Sequence, residues 1–183
     1  MKITLVRHGE TEDNYNEKIQ GRSNHLLNDS GRRQCERLKQ KIKDKKYDIC
    51  YMSPLIRCVE TAIILIGDRV KTVVDNRLIE RDMGNLEGKD YSIYNHYVYW
   101  DYDLNSGEDG VEKIQDIFKR CIEFLDYLKD NHKDNESILV VTHSATYRVL
   151  RHLLLKHKLK GHLYDSSIPN CSLEEFEYKK TSM

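Results

Sequence analysis

Residues Ser137–His157 read SILVVTHSATYRVLRHLLLKH. The first part, Ile138–Thr142, is a short apolar run that reads as a buried strand, and the part from Ser144 reads as a helix capped by Ser144. A strand running straight into a helix is the building unit of an α/β protein, and the alternation recurs outward from here in both directions. Ile3–Val6, within MKITLVRHGETEDN, is another apolar run, too short to span a membrane. Gln20–Asn28 is polar and turn-like, after which SGRRQCERLKQKIKDKK sets Cys35, Leu38 and Ile42 at helical spacing behind Ser30, the expected cap. DICYM (Asp48–Met52) reads as a strand. SPLIRCVETAIILIG follows as a helix with Ser53 at its N-cap, Pro54 at its first position and Gly67 at its end. KTVVD is a short strand, and DGVEKIQDIFKRCIEFLDYLKD is a long amphipathic helix opened by an Asp109-to-Glu112 capping box. CSLEEFEYK near the carboxyl end alternates as an edge strand does. The expected architecture is a three-layer α/β/α sandwich around a mostly parallel central sheet, and such sheets bind ligands at the carboxyl ends of their strands.

A chain of 183 residues supports one sizeable core, so residues 1–183 are read as a single domain. Thirty Lys plus Arg balance thirty Asp plus Glu, which leaves no global field to draw nucleic acid or an acidic membrane. RLKQKIKDKK and KHKLKGH are read as solvated helix faces, because no aromatic residues interleave with their charges. The five cysteines form no CxxC pair, no cluster has metal-ligand spacing, and the amino terminus resembles neither a signal peptide nor an anchor. A reducing cytoplasm is the expected location. No cofactor is implied, and oligomeric state is left open.

Three junctions carry residues suited to an anion. Arg7 and His8 follow the first strand, Arg57 follows the second behind Ser53 and Pro54, and His143 ends the strand Ile138–Thr142. The N–H groups of Ser144 and Ala145 open the next helix, whose terminus itself favours negative charge. If these strands are neighbours, two guanidinium groups and two imidazoles share one pocket fitted to a phosphoryl group.

RHGET with Asn14, SPLIRCVETA, Glu80 in LIERDMGNLEG, GED at Gly107 and VVTHS occur in the order seen in the histidine phosphatase superfamily, the phosphoglycerate mutase-like proteins. IPNCS (Ile168–Ser172) also resembles the smaller bacterial phosphatases of that family. The resemblance implies that His8 attacks phosphorus and becomes a phosphohistidine, that Arg7, Arg57 and His143 grip the non-bridging oxygens, and that Glu80 is the general acid. It adds Asn14, Gly21 and Ser144 as phosphate contacts. Ser144 stands where the family often has glycine, and GED stands where it usually has GES, so Glu108 receives no role. Read without the resemblance, Glu80 makes a salt bridge to Arg81, and Ser144 only caps its helix.

The implied activity is metal-independent hydrolysis of a small phosphomonoester. Mutase-type phosphotransfer between positions of phosphoglycerate is the alternative, and a non-catalytic phosphate-binding module a more distant one. The stretch EGKDYSIYNHYVYWDYDLNSG, read as a small cap-like insertion around 88–107, offers Lys89 as its only fixed cation among many tyrosines. That favours a phosphatase with a partly apolar or aromatic leaving group over a mutase, although the aromatics also suit plain packing.

Overall fold

Six consecutive residues, Ser137–Thr142, pass through the middle of the protein with only the first of them not buried. A strand buried on both faces belongs inside a sheet covered by helices on each side. The computed structural model describes residues 1–165 and 167–179; residue 166 and the end of the expected domain, residues 180–183, lie outside the described residues. Its strands are β1 (Lys2–Arg7), β2 (Ile49–Met52), β3 (Lys71–Val74), β4 (Ser137–Thr142) and β5 (Leu173–Glu177). They form one five-stranded sheet in the order β3-β2-β4-β1-β5. All pairings are parallel except β1 with β5, which is antiparallel and leaves β5 at an edge, as its alternation foretold. The helices are α1 (Glu12–Tyr15), α2 (Asp29–Lys41), α3 (Ile56–Ile66), α4 (His96–Tyr99), α5 (Ile114–Asn131) and α6 (Ser144–Leu154). No helix among the described residues is long and apolar enough to cross a membrane.

Period-two alternation sorts the strand side chains into two cores. Ile3, Leu5, Tyr51, Ile138 and Val140 pack with the apolar faces of α5 and α6. Val6, Cys50, Met52, Leu139 and Val141 pack on the other face with Leu38 of α2 and Ala62 and Leu65 of α3. At about 1.5–3 kcal/mol for each large side chain fully removed from water, these two layers hold the three-layer sandwich together.

Helix starts depart from the sequence reading at every cap, each for a local reason. Asn28, not Ser30, caps α2, its side chain accepting a bond from Gly31 N–H at 2.7 Å. In α3 the helix begins two residues beyond Pro54 with Leu55 at the cap position, and the Ser53 hydroxyl accepts from His143 at 2.6 Å and from Leu55 N–H at 3.3 Å, ahead of the helix. The Asp109-to-Glu112 box does not form. α5 begins at Ile114, Asp109 sits at φ 56° and accepts the Tyr99 hydroxyl, and Glu112 is engaged by Arg22 and Arg120. In α6, His143 holds the cap position and Ser144 is the first helical residue without a capping bond.

Gly31 lets α2 lie directly on the loop that follows β1. A Cβ there would stand 2.1 Å from the Glu10 carbonyl oxygen, and that backbone is held by Asn28 N–H at 3.0 Å and by Gln34 Oε1 at 3.0 Å. Gly31→Ala is therefore expected to destabilise the fold by about 1–3 kcal/mol, read as a fall of several degrees in Tm. An unchanged Tm would show that the loop can retreat.

Candidate active site

The carboxyl ends of β1, β2 and β4 open into one cavity of about 470 Å³. Arg7, His8, Asn14, Gly21, Arg57, Glu80 and Ser144 all reach its wall. Of the residues singled out in the sequence, His143 is the one that does not; it lies fully buried behind His8, with ring centroids 5.1 Å apart.

His8 directly follows β1, its N–H bonded to the Thr142 carbonyl at 3.0 Å. Its Nδ1 lies 2.7 Å from the Gly9 carbonyl oxygen. A carbonyl only accepts, so Nδ1 carries the proton and the Nε2 lone pair is left available in the neutral ring. Burial, then the positive charges of Arg57 and Arg7, hold His8 well below the usual histidine pKa and so favour that neutral form.

Arg57, in the first turn of α3, is fixed on every branch of its guanidinium. Nη1 donates to the Ser23 carbonyl at 2.6 Å, Nη2 to the Gly21 carbonyl at 2.7 Å, and Nε to His143 Nδ1 at 3.1 Å. Gly21 thus touches Arg57 through its carbonyl, and glycine is required there: φ is +51° and a Cβ would stand 2.1 Å from Glu87 Oε1. The bond from Arg57 makes Nδ1 of His143 an acceptor, so its Nε2–H donates to Ser53 Oγ. Burial and then Arg57 keep this second ring well below its ordinary pKa as well. Arg7 is braced by Nη1 donating to the Ile168 carbonyl.

Glu80 supplies the cap that α6 lacks. Its carboxylate accepts from Ala145 N–H at 3.2 Å and Thr146 N–H at 3.3 Å, and from Arg81 N–H at 2.9 Å. The Arg81 contact is backbone only, which corrects the salt-bridge alternative. The Arg81 guanidinium turns away to the Glu112 and Tyr99 carbonyls and lies 5.4 Å from the Trp100 ring. A carboxyl group thereby lines the cavity at a helix terminus without a guanidinium bound to it.

Some contributors were not visible in the sequence. Asn170, just before β5, donates to the His8 carbonyl and to Asn14 Oδ1, each at 3.1 Å. Arg22 ties Glu80 to its surroundings, donating to the Glu80 carbonyl and pairing with Asp82 and Glu112. Tyr91, Tyr94 and Trp100 form an aromatic wall with Tyr164, and Lys18, Arg81 and Arg148 also line the cavity. The low cation content of residues 88–107 therefore does not describe the cavity, because its cations arrive from other segments. Arg148 had a legible signal, since it lies on α6 a little over one turn from His143.

A cavity at the carboxyl end of a mostly parallel sheet, lined by His8, Arg7, Arg57 and Glu80, is the site of an α/β phosphomonoesterase. The chain belongs to the histidine phosphatase superfamily (branch 1), whose family model matches residues 3–183. Phosphoglycerate mutase-like protein 4 of Arabidopsis thaliana is 35% identical over 159 residues, 81% of this chain and 69% of that protein. The metal-independent phosphoserine phosphatase of the same plant is 28% identical over 180 residues, 91% of this chain and 74% of its own length. Among solved structures, the phosphoserine phosphatase of Entamoeba histolytica in complex with 3-phosphoglyceric acid superposes with a TM-score of 0.77 at 30% identity, covering 95% of this chain and 89% of that one.

Proposed function

We propose that the chain hydrolyses small phosphomonoesters through a phosphohistidine on His8. The observation that carries this reading is the His8 Nδ1 bond to the Gly9 carbonyl, which aims an unprotonated Nε2 at the cavity. Nε2 attacks phosphorus as the ester oxygen departs, and Glu80 gives that oxygen its proton. Glu80, now ionised, takes a proton from water as that water attacks phosphorus, the P–N bond breaks, and inorganic phosphate leaves with His8 restored. Arg7 and Arg57 neutralise the oxygens in flight, and preorganisation by Ser23, Gly21 and His143 spares Arg57 any rearrangement. Asn14 and Ser144 stand at the wall as further donors.

Residues 88–107 act in this reading as a small cap over the leaving group. A cavity of about 470 Å³ suits a metabolite, and Tyr91, Tyr94, Trp100 and Tyr164 offer flat surface to an apolar or aromatic portion. The phosphatase reading, rather than mutase transfer, rests on each added cation already being engaged: Lys18 with Asp90, Arg148 with Asp165, and Arg81 with backbone carbonyls. A reducing cytoplasm fits five cysteines that are all free thiols.

The test is hydrolysis of an aryl phosphate and of phosphoserine after thorough chelation. Undiminished release of inorganic phosphate is expected, together with phosphate release from phosphoglycerate that outpaces interconversion of its 2- and 3-isomers. A strict need for an added divalent metal would overturn the phosphohistidine route, and faster isomerisation than hydrolysis would restore the mutase reading.

A further inference from the structure

Three of the five cysteines are locked in the two cores. Cys50 and Cys121 have their thiols pushed up to about 12 by burial, and Cys58 is pushed up further for the same reason. Such thiols are poor nucleophiles near neutral pH. The other two form a pair. Cys35 on α2 and Cys171 just ahead of β5, distant in sequence, bring their Sγ atoms to 3.5 Å. Cys35 is fully buried, pressed against Gly9 so closely that a Cβ on that glycine would stand 2.8 Å from its sulfur. Cys171 is partly exposed.

Cys171 also belongs to the segment that holds the strand-end loop in place. Its N–H donates to the Arg7 carbonyl at 3.1 Å and the His8 carbonyl at 3.2 Å. Around it, Ile168 accepts from the Arg7 guanidinium, Asn170 donates to the His8 carbonyl, and Ser172 accepts the Arg7 N–H. A change in the position of Cys171 is thus transmitted directly to the backbone of Arg7 and His8.

We propose that Cys35 and Cys171 are an oxidation site, closed to an intramolecular disulfide by hydroperoxides, and that closure slows the enzyme. The oxidant takes two electrons from the pair. Hydrogen peroxide converts one thiol of the pair to a sulfenic acid and releases one water. The partner sulfur then attacks that sulfur, the S–O bond breaks, and the departing oxygen leaves as a second water with the remaining thiol proton. The hydrogen bond between the two sulfurs lowers the Cys35 thiol, against the opposing effect of burial, and raises that of Cys171, so Cys35 is the more nucleophilic of the two. Closing the gap to a bond of about 2.05 Å moves the sulfurs together by roughly 1.5 Å. Cys35 is hemmed in by Gly9 and bonded to Thr61, so the displacement falls on Cys171, whose backbone already sits at φ 56°. A shift of that size beneath a reacting group is enough to misalign it.

The effect on rate rests on the roles proposed for Arg7 and His8, whereas the disulfide does not, and the two are read separately. The full chain is treated with hydrogen peroxide, alkylated under denaturing conditions and digested. A linked Cys35–Cys171 peptide is expected, with two fewer alkylatable thiols than in the untreated protein. The accompanying loss in kcat/KM for an aryl phosphate is at least about threefold and is reversed by dithiothreitol. Cys171→Ser and, independently, Cys35→Ser are expected to keep the starting rate and lose the response. Overoxidised Cys171 with Cys35 still alkylatable overturns the proposal. So does a linked peptide without loss of rate, or equal inhibition of both serine variants. Should the untreated protein show no phosphatase activity, the functional reading fails while the linked peptide still decides the oxidation site.

Discussion

His8→Ala protein is expected to lose turnover and phosphoenzyme together, with kcat/KM lower by at least about 10³-fold for every ester tried. No other nitrogen in the site can take over. His143 has both ring nitrogens committed, one accepting from Arg57 and the other donating to Ser53, and it does not reach the cavity wall. Guanidinium and amide groups are poor nucleophiles toward phosphorus, so Arg7, Arg57 and Asn14 are not expected to replace His8. Truncating His8 leaves Arg7 and Arg57 in the cavity wall, so inorganic phosphate should still compete for the site. Rapid acid and alkaline quenching of the wild type with radiolabelled ester is expected to trap an acid-labile, alkali-stable phosphoenzyme, the stability pattern of a phosphoramidate. An acid-labile phosphoenzyme in His8→Ala would place the nucleophile elsewhere.

The strands and their facing were legible because burial on a pleated sheet imposes a period of two that needs no tertiary information. Helix starts were less legible, because most of these caps are settled by contacts from other segments. Ser53 looks like the cap of α3, yet its hydroxyl accepts from His143, ninety positions on, and from Leu55 N–H ahead of the helix. Asp109 and Glu112 look like a capping box until Tyr99, Arg22 and Arg120 draw the two carboxylates apart. Ser144 looks like the cap of α6 because nothing in the neighbouring residues shows that Glu80 will bond its first N–H groups.

The same division applies to the site. Arg7 and His8 were legible from their place at the end of β1, and Arg57 from its place in the first turn of the helix after β2, at the carboxyl end of the sheet where such folds bind ligands. Gly21 could be named from the family resemblance, but its role in holding Arg57 by a carbonyl depends on a turn at positive φ pressed against Glu87. Asn170, Arg22 and Tyr164 come from loops whose approach no periodicity encodes. Cys35 and Cys171 read separately as small apolar residues, and only the meeting of α2 with the turn before β5 makes them a pair.

Glu80→Gln should divide substrates by leaving group. Glutamine preserves the shape and one oxygen acceptor for the N–H groups of Ala145 and Thr146, so α6 and the cavity should persist. It has no proton to give to an alkoxide. For alkyl esters such as phosphoserine the expected fall in kcat/KM is about 10²–10⁴-fold, whereas a nitrophenyl ester, whose phenolate leaves unaided, should lose less than about tenfold. The comparison is made on kcat/KM because that constant reports the steps through transfer to His8, before water enters. In the proposed mechanism the second half-reaction responds differently, since water attacking the phosphohistidine also needs Glu80 as its base. With the nitrophenyl ester, transfer to His8 stays fast while hydrolysis slows, and the phosphoenzyme accumulates. A burst of nitrophenolate equal to the enzyme concentration should then precede a slow steady rate that is common to all activated esters. Pre-steady-state absorbance and a leaving-group series measure both halves. Equal slowing of kcat/KM for every ester, with no burst, would remove Glu80 as the acid and leave it as the cap of α6.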